Sequence, residues 1–358
     1  GIAFAEASRT MTMVQVPIFL RELGAEIDEI GFFFTVSLIF PLLLRILGGW
    51  IADRIGRLRA IWFGSLAGVL AYIPYAIAPS WEVALLGPAL LAVATALIAP
   101  SYRAHIAETT DRKYLGRVFG ITETVRNTAW ILGPPIGGML AQFLGYRWLF
   151  AAAILSYAVA SIIFLVMTRS MVDSRGAIPE KQKINSFWAS LREVVVLAVS
   201  GGLVTWILIS DGVADIASKL SFDLMPVYLS DIANLSKQNV GILDGLHGIA
   251  WVASGVLGGW MVDKAGERVN VVLGLILLIL SRLVFAFASS FWGFAISWIV
   301  LGIGGALIKP ALNSLVSKGV PSHLLGITFA FIATSEGIIS MPSPWIGSQI
   351  WNTFGPKA

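Results

Sequence analysis

Apolar residues run along this chain in blocks of about 20, and polar residues collect between the blocks. The blocks fall at about 1–20, 30–52, 60–78, 82–101, 116–143 and 148–168. After a polar stretch they resume at about 198–229, 240–262, 269–289, 291–312 and 324–351. A helix needs about 20 apolar residues to cross the hydrocarbon layer, so the pattern predicts about eleven membrane-spanning helices. The polar stretch at 169–197 predicts a linker between a first bundle, 1–168, and a second, 198–358. In its second half Phe187, Trp188, Leu191 and Val194 recur at helical spacing, with Ser190, Arg192 and Glu193 between them. That spacing suits a short helix on the inner membrane surface. An early start to the seventh span fits it equally well.

Composition narrows the class. Hydrophobic residues make up 57% and charged residues 13% of the chain, and the mean hydropathy is +0.81. A water-soluble domain carries about 25% charged residues, so a soluble fold is excluded. The basic balance is not a nucleic-acid signal, because the cations sit in particular loops. Arg54, Arg57, Arg59, Arg112, Lys113, Arg169, Lys181, Lys264, Arg268 and Lys318 fall on one side of the predicted membrane. The other side holds Arg21, Arg147 and Lys237, with Lys357 at the end, and its first loop is acidic. The cation-rich side, linker included, is expected to be cytoplasmic, in the cell membrane. With no cysteine and three scattered histidines, no metal site and no cofactor are expected. No nucleophile–base set appears either, so an enzyme is not expected.

The two bundles repeat each other at an offset of 210 residues. Leu47-Gly48-Gly49-Trp50 matches Leu257-Gly258-Gly259-Trp260, and Asp53 matches Asp263. Ala96-Leu97-Ile98 matches Ala306-Leu307-Ile308, and Pro134 matches Pro344. One residue of slippage is needed in the first external loop, where Pro17 pairs with Pro226. The register predicts two parallel-repeat bundles of six helices, with helix 1 truncated at Gly1 and helix 12 absent after Ala358. Transporters with that symmetry place a solute site between their halves.

Two motifs carry a family resemblance. Gly49, Asp53, Arg54, Gly56 and Arg57 follow the second span in the order Gly-x-x-x-Asp-Arg-x-Gly-Arg, and a degenerate copy with Asp263 follows the eighth. Gly120, Gly133, Pro134, Gly137 and Gly138 stud the fifth span, where small residues let helices pack closely. The chain resembles the major facilitator superfamily over essentially its whole length, and within it the twelve-helix drug/proton antiporter branch. The resemblance implies an all-α membrane fold of two six-helix bundles. It implies a conformational gate at the first motif and an antiporter-like motif at the second. The second also reads as packing alone. The fourth span, Leu85 to Pro100, lacks the membrane arginine that many proton-coupled exporters of the family carry.

Ionisable side chains inside a membrane are costly and therefore mark candidate sites. Glu123 and Arg126 share a face of the fifth helix, and Glu6 and Arg9 share one on the first. The repeat partner of Arg126 is Glu336, and that of Glu6 is Asp215, with Lys219 one turn on. Arg126, Glu336, Glu123, Glu6 and Asp215 are the candidates for solute binding or coupling, and structural pairing is the rival role. Asp244 and His247 read as a wet pair at the outer rim, and Lys309 as an inner-surface anchor. The expected function is secondary transport by alternating access, with proton-coupled efflux of drug-like or amphipathic compounds ahead of solute uptake or a non-transporting sensor. The expected partners are a small-molecule solute, protons and the lipid bilayer, for a chain acting as a monomer.

Overall fold

The first span is two helices, α1 (Ile2–Met13) and α2 (Gln15–Glu22), parted at Val14. Pro17 causes the break: it has no amide hydrogen to donate, and its ring crowds the carbonyl four residues back, that of Met13. There follow α3 (Ile27–Ile55), α4 (Arg57–Ile77), the single turn α5 (Trp81–Ala84), α6 (Leu86–Thr109), α7 (Leu115–Phe143) and α8 (Tyr146–Ser170). Next come α9 (Ile184–Val199) and α10 (Leu203–Phe222), bent by 77° where they meet. Pro226 acts as Pro17 does, and α10 ends four residues before it. A short turn, α11 (Met225–Val227), and a π-helical turn at Tyr228–Ile232 carry the chain onward. The remainder is α12 (Lys237–Ala265), α13 (Glu267–Phe287), α14 (Phe291–Gly319), α15 (Leu325–Ser340) and α16 (Ser343–Phe354).

This computed structural model describes residues 1–170, 184–321 and 324–357, with the side chains of 45–50, 52, 53, 112, 170, 184–191, 203 and 326 outside the described set. The centre of the predicted linker, with Pro179, Lys181 and Lys183, therefore lies outside the described residues. Among the described residues there is no strand, and seven helices are long and apolar enough to cross a membrane. The bent pair α9–α10 would add an eighth. The expected spans missing from those seven are α1–α2, α7, α10 and α15–α16. They are the ones that are broken or that carry the candidate charges Glu6, Arg126, Asp215 and Glu336.

Packing divides the chain into two units. The first comprises Gly1–Glu180 and Asp223–Ile242, and the second Lys181–Phe222 and Leu243–Ala358. In the first unit α4 packs on α6 and α8, α1 packs on α7 and α8, and α3 packs on α6. An aromatic core closes it, with Phe150 ring centroids 4.9 Å from Phe19 and 5.1 Å from Tyr75. In the second unit α13 packs on α14, and α10 on α14, α15 and α16. Val194, Val204, Ile207, Leu312 and Val316 are buried together there.

The repeat is visible in contacts as well as letters. Gly64 lies against Ala94, Leu97 and Ile98; its partner Gly274 lies against Gly304 and Ile308. Gly137 lies against the Met11 carbonyl, and its partner Gly347 against that of Leu220. Met11 and Leu220 are 209 apart, which matches the one-residue slippage read from the sequence. Gly56 (φ 93°) and Gly266 (φ 85°) open α4 and α13 in the left-handed region, where glycine alone is free of strain.

One repeated contact has inverted charge. Arg57 at the start of α4 pairs with Glu108 near the end of α6, 3.5 Å apart. The equivalent pair in the second unit is Glu267 at the start of α13 with Lys318 near the end of α14. A helix N-terminus favours a negative charge and a C-terminus a positive one, so only the second pair agrees with the helix dipoles. Reversing it, as Glu267→Arg with Lys318→Glu, is expected to lower Tm by about 2 °C, measured in detergent. An unchanged Tm would remove the dipole account.

Candidate functional site

Four charged side chains link α1 to α7. Arg9 and Glu6 stand one turn apart, with Arg9 Nη2 2.9 Å from Glu6 Oε2. On α7, Arg126 Nη1 lies 3.0 Å from Glu123 Oε1. Arg126 also reaches across, its Nε 3.3 Å from Glu6 Oε1. The result is a chain of alternating charge, Arg9–Glu6–Arg126–Glu123. Glu6 is the most enclosed of the pair it makes with Arg126: 16% of its side chain is exposed, against 39% for Arg126. The helices can approach this closely because Thr10 donates to the Ala129 carbonyl (2.9 Å) and Gly133 leaves room for Thr10.

The charged chain opens on a cavity of about 140 Å³. Ile2, Leu91, Ile98 and Phe119 give it apolar walls, and Glu6, Arg9, Arg103, Glu123 and Arg126 give it polar ones. Three cations face two carboxylates, an excess of one positive charge. A mostly apolar hollow with a few convergent polar groups is the usual form of a small-molecule site. Every lining residue belongs to the first unit.

The small residues of α7 divide into two sets. Gly133 and Gly137 seat α1, while Gly138 lies against the backbone of Lys237 and Gln238, and Gly241 against the Pro134 carbonyl. Gly120 has nothing within 4 Å of the place a Cβ would take, so it packs nothing. Where α12 begins, Gln15 donates to the Lys237 carbonyl (3.1 Å), Lys237 pairs with Glu22 (2.6 Å), and Arg21 pairs with Asp231 (3.0 Å). Segment 223–242 is thus tied to the first unit at that end.

In the second unit Asp215 pairs with Lys219 at 3.0 Å. Lys219 donates to Ser340 Oγ (2.8 Å), which donates to the Glu336 carbonyl (2.7 Å). Glu336 Oε1 is buried without a hydrogen-bond partner. Lys309 Nζ lies 3.6 Å from Asp211. Lys309 lies on α14, ten residues before that helix ends at Gly319. One reading is corrected here. His247 is not on a wet rim; it is 9% exposed, its ring 6.0 Å from that of Trp251. The close approach of Gly302 to the His247 backbone closes that part of α12 against α14.

Of the predicted gate residues, Arg54 is exposed on α3, Gly56 starts α4, Arg57 holds Glu108, and Asp263 is exposed near the end of α12. Gly49 and the Asp53 side chain lie outside the described set. Arg126 belongs to the first unit and Glu336 to the second. Glu108 and Ser340 escaped the sequence reading. The 210-residue register, applied to Lys318, leads to Glu108; nothing in the sequence marks Ser340.

Repeated apolar helices, charges paired within them and a partly apolar cavity define a polytopic membrane transporter. The model of the Major Facilitator Superfamily matches residues 1–344, and the chain belongs to that family. It is therefore a transporter and not an enzyme. Among its relatives, the Multidrug resistance protein MdtG of Enterobacter lignolyticus is 23% identical, over 100% of this chain and 85% of that protein. The Multi-drug resistance efflux pump PmrA homolog of Lactococcus lactis is 24% identical, over 98% and 86%. The fold is similar to that of a bacterial homolog of the human lysosomal transporter Spinster, with a TM-score of 0.80 at 16% identity, over 99% of this chain and 81% of that one. It is also similar to a D-xylose-proton symporter, with a TM-score of 0.74 at 13% identity, over 99% and 89%.

Proposed function

We propose that this transporter exports small amphipathic, drug-like solutes in exchange for protons, acting as a monomer in the cell membrane with residues 169–197 on the cytoplasmic side. The observation that carries the reading is the cavity beside Arg126. Its apolar walls suit a hydrophobic body, and the Arg9–Glu6–Arg126–Glu123 chain suits a polar group that exchanges partners with it. The efflux names of the relatives support the direction. In this reading Gly49, Asp53, Arg54, Gly56, Arg57 and Asp263 form the conformational gate. Gly133, Pro134, Gly137 and Gly138 hold α7 to α1 and to the start of α12 while the gate works.

The test uses inside-out membrane vesicles and ethidium as the probe. Export in exchange for protons predicts that dye accumulates only when the vesicle lumen is acid, because protons leaving the lumen drive the dye in. Accumulation only with an alkaline lumen would make the protein an uptake symporter. No movement under either gradient would overturn the proposal.

A further inference from the structure

The cavity beside Arg126 holds more hydrogen-bond donors than its carboxylates can use. Each guanidinium carries five N–H donors and no acceptor. Arg9 spends Nε and Nη2 on Glu6 Oε2, at 3.0 and 2.9 Å, and its Nη1 lies 3.8 Å from Met13 Sδ. Arg126 spends Nε on Glu6 Oε1 and Nη1 on Glu123 Oε1. Its Nη2 is left without a partner among the described residues. Arg103, on α6, is the third cation of the lining and takes no part in these bonds. Among the described residues its side chain has no ion pair and no hydrogen bond.

The acceptors are in the opposite condition. Both oxygens of Glu6 are taken, Oε1 by Arg126 and Oε2 by Arg9. Glu123 keeps one oxygen, on a side chain 58% exposed, where water competes for it. A cationic solute would therefore have to displace Arg126 from Glu6 or settle for that outer carboxylate, against an excess of positive charge. An anion meets free donors and removes the excess. A carboxylate suits a guanidinium best, because its two oxygens match two parallel N–H groups. The volume sets the size of the apolar part. The cavity measures about 140 Å³, and an apolar cavity of about 150 Å³ is enough for benzene. One aromatic ring against Ile98 and Phe119 fills it.

We propose that this cavity selects amphipathic monoanions, a single aromatic ring bearing a carboxylate, over cations of the same shape, and that Arg103 reads the charge. The proposal deepens the transport reading above and rests on it for the claim that the bound solute is cargo. Arg103 stands on α6, whereas the four linked charges join α1 to α7, so it can take a carboxylate while their bonds stay intact. Arg126 Nη2 offers a further donor.

Calorimetric titration of the purified full chain in detergent, at about pH 7, tests the selection with phenylacetate, phenylacetamide and phenethylammonium. The three share one ring and differ in charge, and at that pH the carboxylate is ionised. Phenylacetate is expected to bind about tenfold more tightly than phenylacetamide, and phenethylammonium more weakly than either. Arg103→Gln is expected to weaken phenylacetate by about tenfold and to leave phenylacetamide unchanged. Arg103→Lys, which keeps the charge and loses the fork, should fall between. Equal affinity for phenylacetate and phenethylammonium would overturn the charge selection. Unchanged phenylacetate binding in Arg103→Gln, or a loss shared equally by phenylacetamide, would overturn the role of Arg103. Ethidium accumulation in vesicles separates this proposal from the transport reading. If the wild type accumulates ethidium and phenylacetate does not bind, the proposal falls and the transport reading stands. If the three ligands bind in the expected order while ethidium moves under neither gradient, the transport reading falls and the anion site stands.

Discussion

Arg126→Ala is expected to cut ethidium transport in vesicles by about thirtyfold while the protein still folds. Arg126 reaches across the two helices, 3.3 Å from Glu6 on α1 and 3.0 Å from Glu123 on α7. Without it Glu6, 16% exposed, keeps Arg9 alone, and the excess of positive charge in the cavity disappears. Hydrogen bonds to charged groups contribute about 1.5–3 kcal/mol each. Arg126 is 39% exposed, so water screens part of that, and about 2 kcal/mol, or thirtyfold, is the fair expectation. Arg126→Lys keeps the charge but lacks the planar fork that serves two carboxylates at once, so it should fall between. Transport of Arg126→Ala at the wild-type rate would remove the cavity from the solute path.

Gly137→Leu is expected to prevent the first bundle from forming. A Cβ at Gly137 would overlap the carbonyl of Met11, a backbone atom that no side-chain rotation can move aside. Overpacking costs about 1–3 kcal/mol where neighbours can shift, so Gly137→Ala should lower Tm and Gly137→Leu should leave no monodisperse peak in detergent. Gly347→Leu should fail in the same way against Leu220, as the repeat requires. Gly120→Ala is the contrast within the same motif. With open space around it, alanine there should hold or raise stability by about 0.5–1 kcal/mol, since glycine weakens a helix interior. Equal behaviour of Gly120→Ala and Gly137→Leu would refute the division of the motif into packing and non-packing glycines.

The Gly/Pro spacing on the fifth span pointed to close packing, but Gly120, Gly133 and Gly137 are alike as letters. Which of them touches a backbone depends on the partner helix. The pairing of Glu6 with Arg9 and of Glu123 with Arg126 was legible because helical geometry puts residues three apart on one face. That Arg126 also reaches Glu6 was not legible, because it depends on how α1 and α7 cross. The apolar pattern ends span ten at about 312, whereas α14 runs on to Gly319, because a helix can continue past the apolar block that marks it.

The sequence alone determined that this is a membrane protein of repeated helices. Hydropathy is a property of each segment, and lipid leaves a backbone few ways to satisfy its hydrogen bonds other than a helix. It also determined the duplication, down to the residue of slippage that reappears in Met11 and Leu220. The tertiary structure alone decided which groups meet: Arg126 with Glu6, and Lys219 with Ser340. Ion pairing falls off within a few ångströms, and residues more than 100 positions apart come that close only through the packing of separate helices.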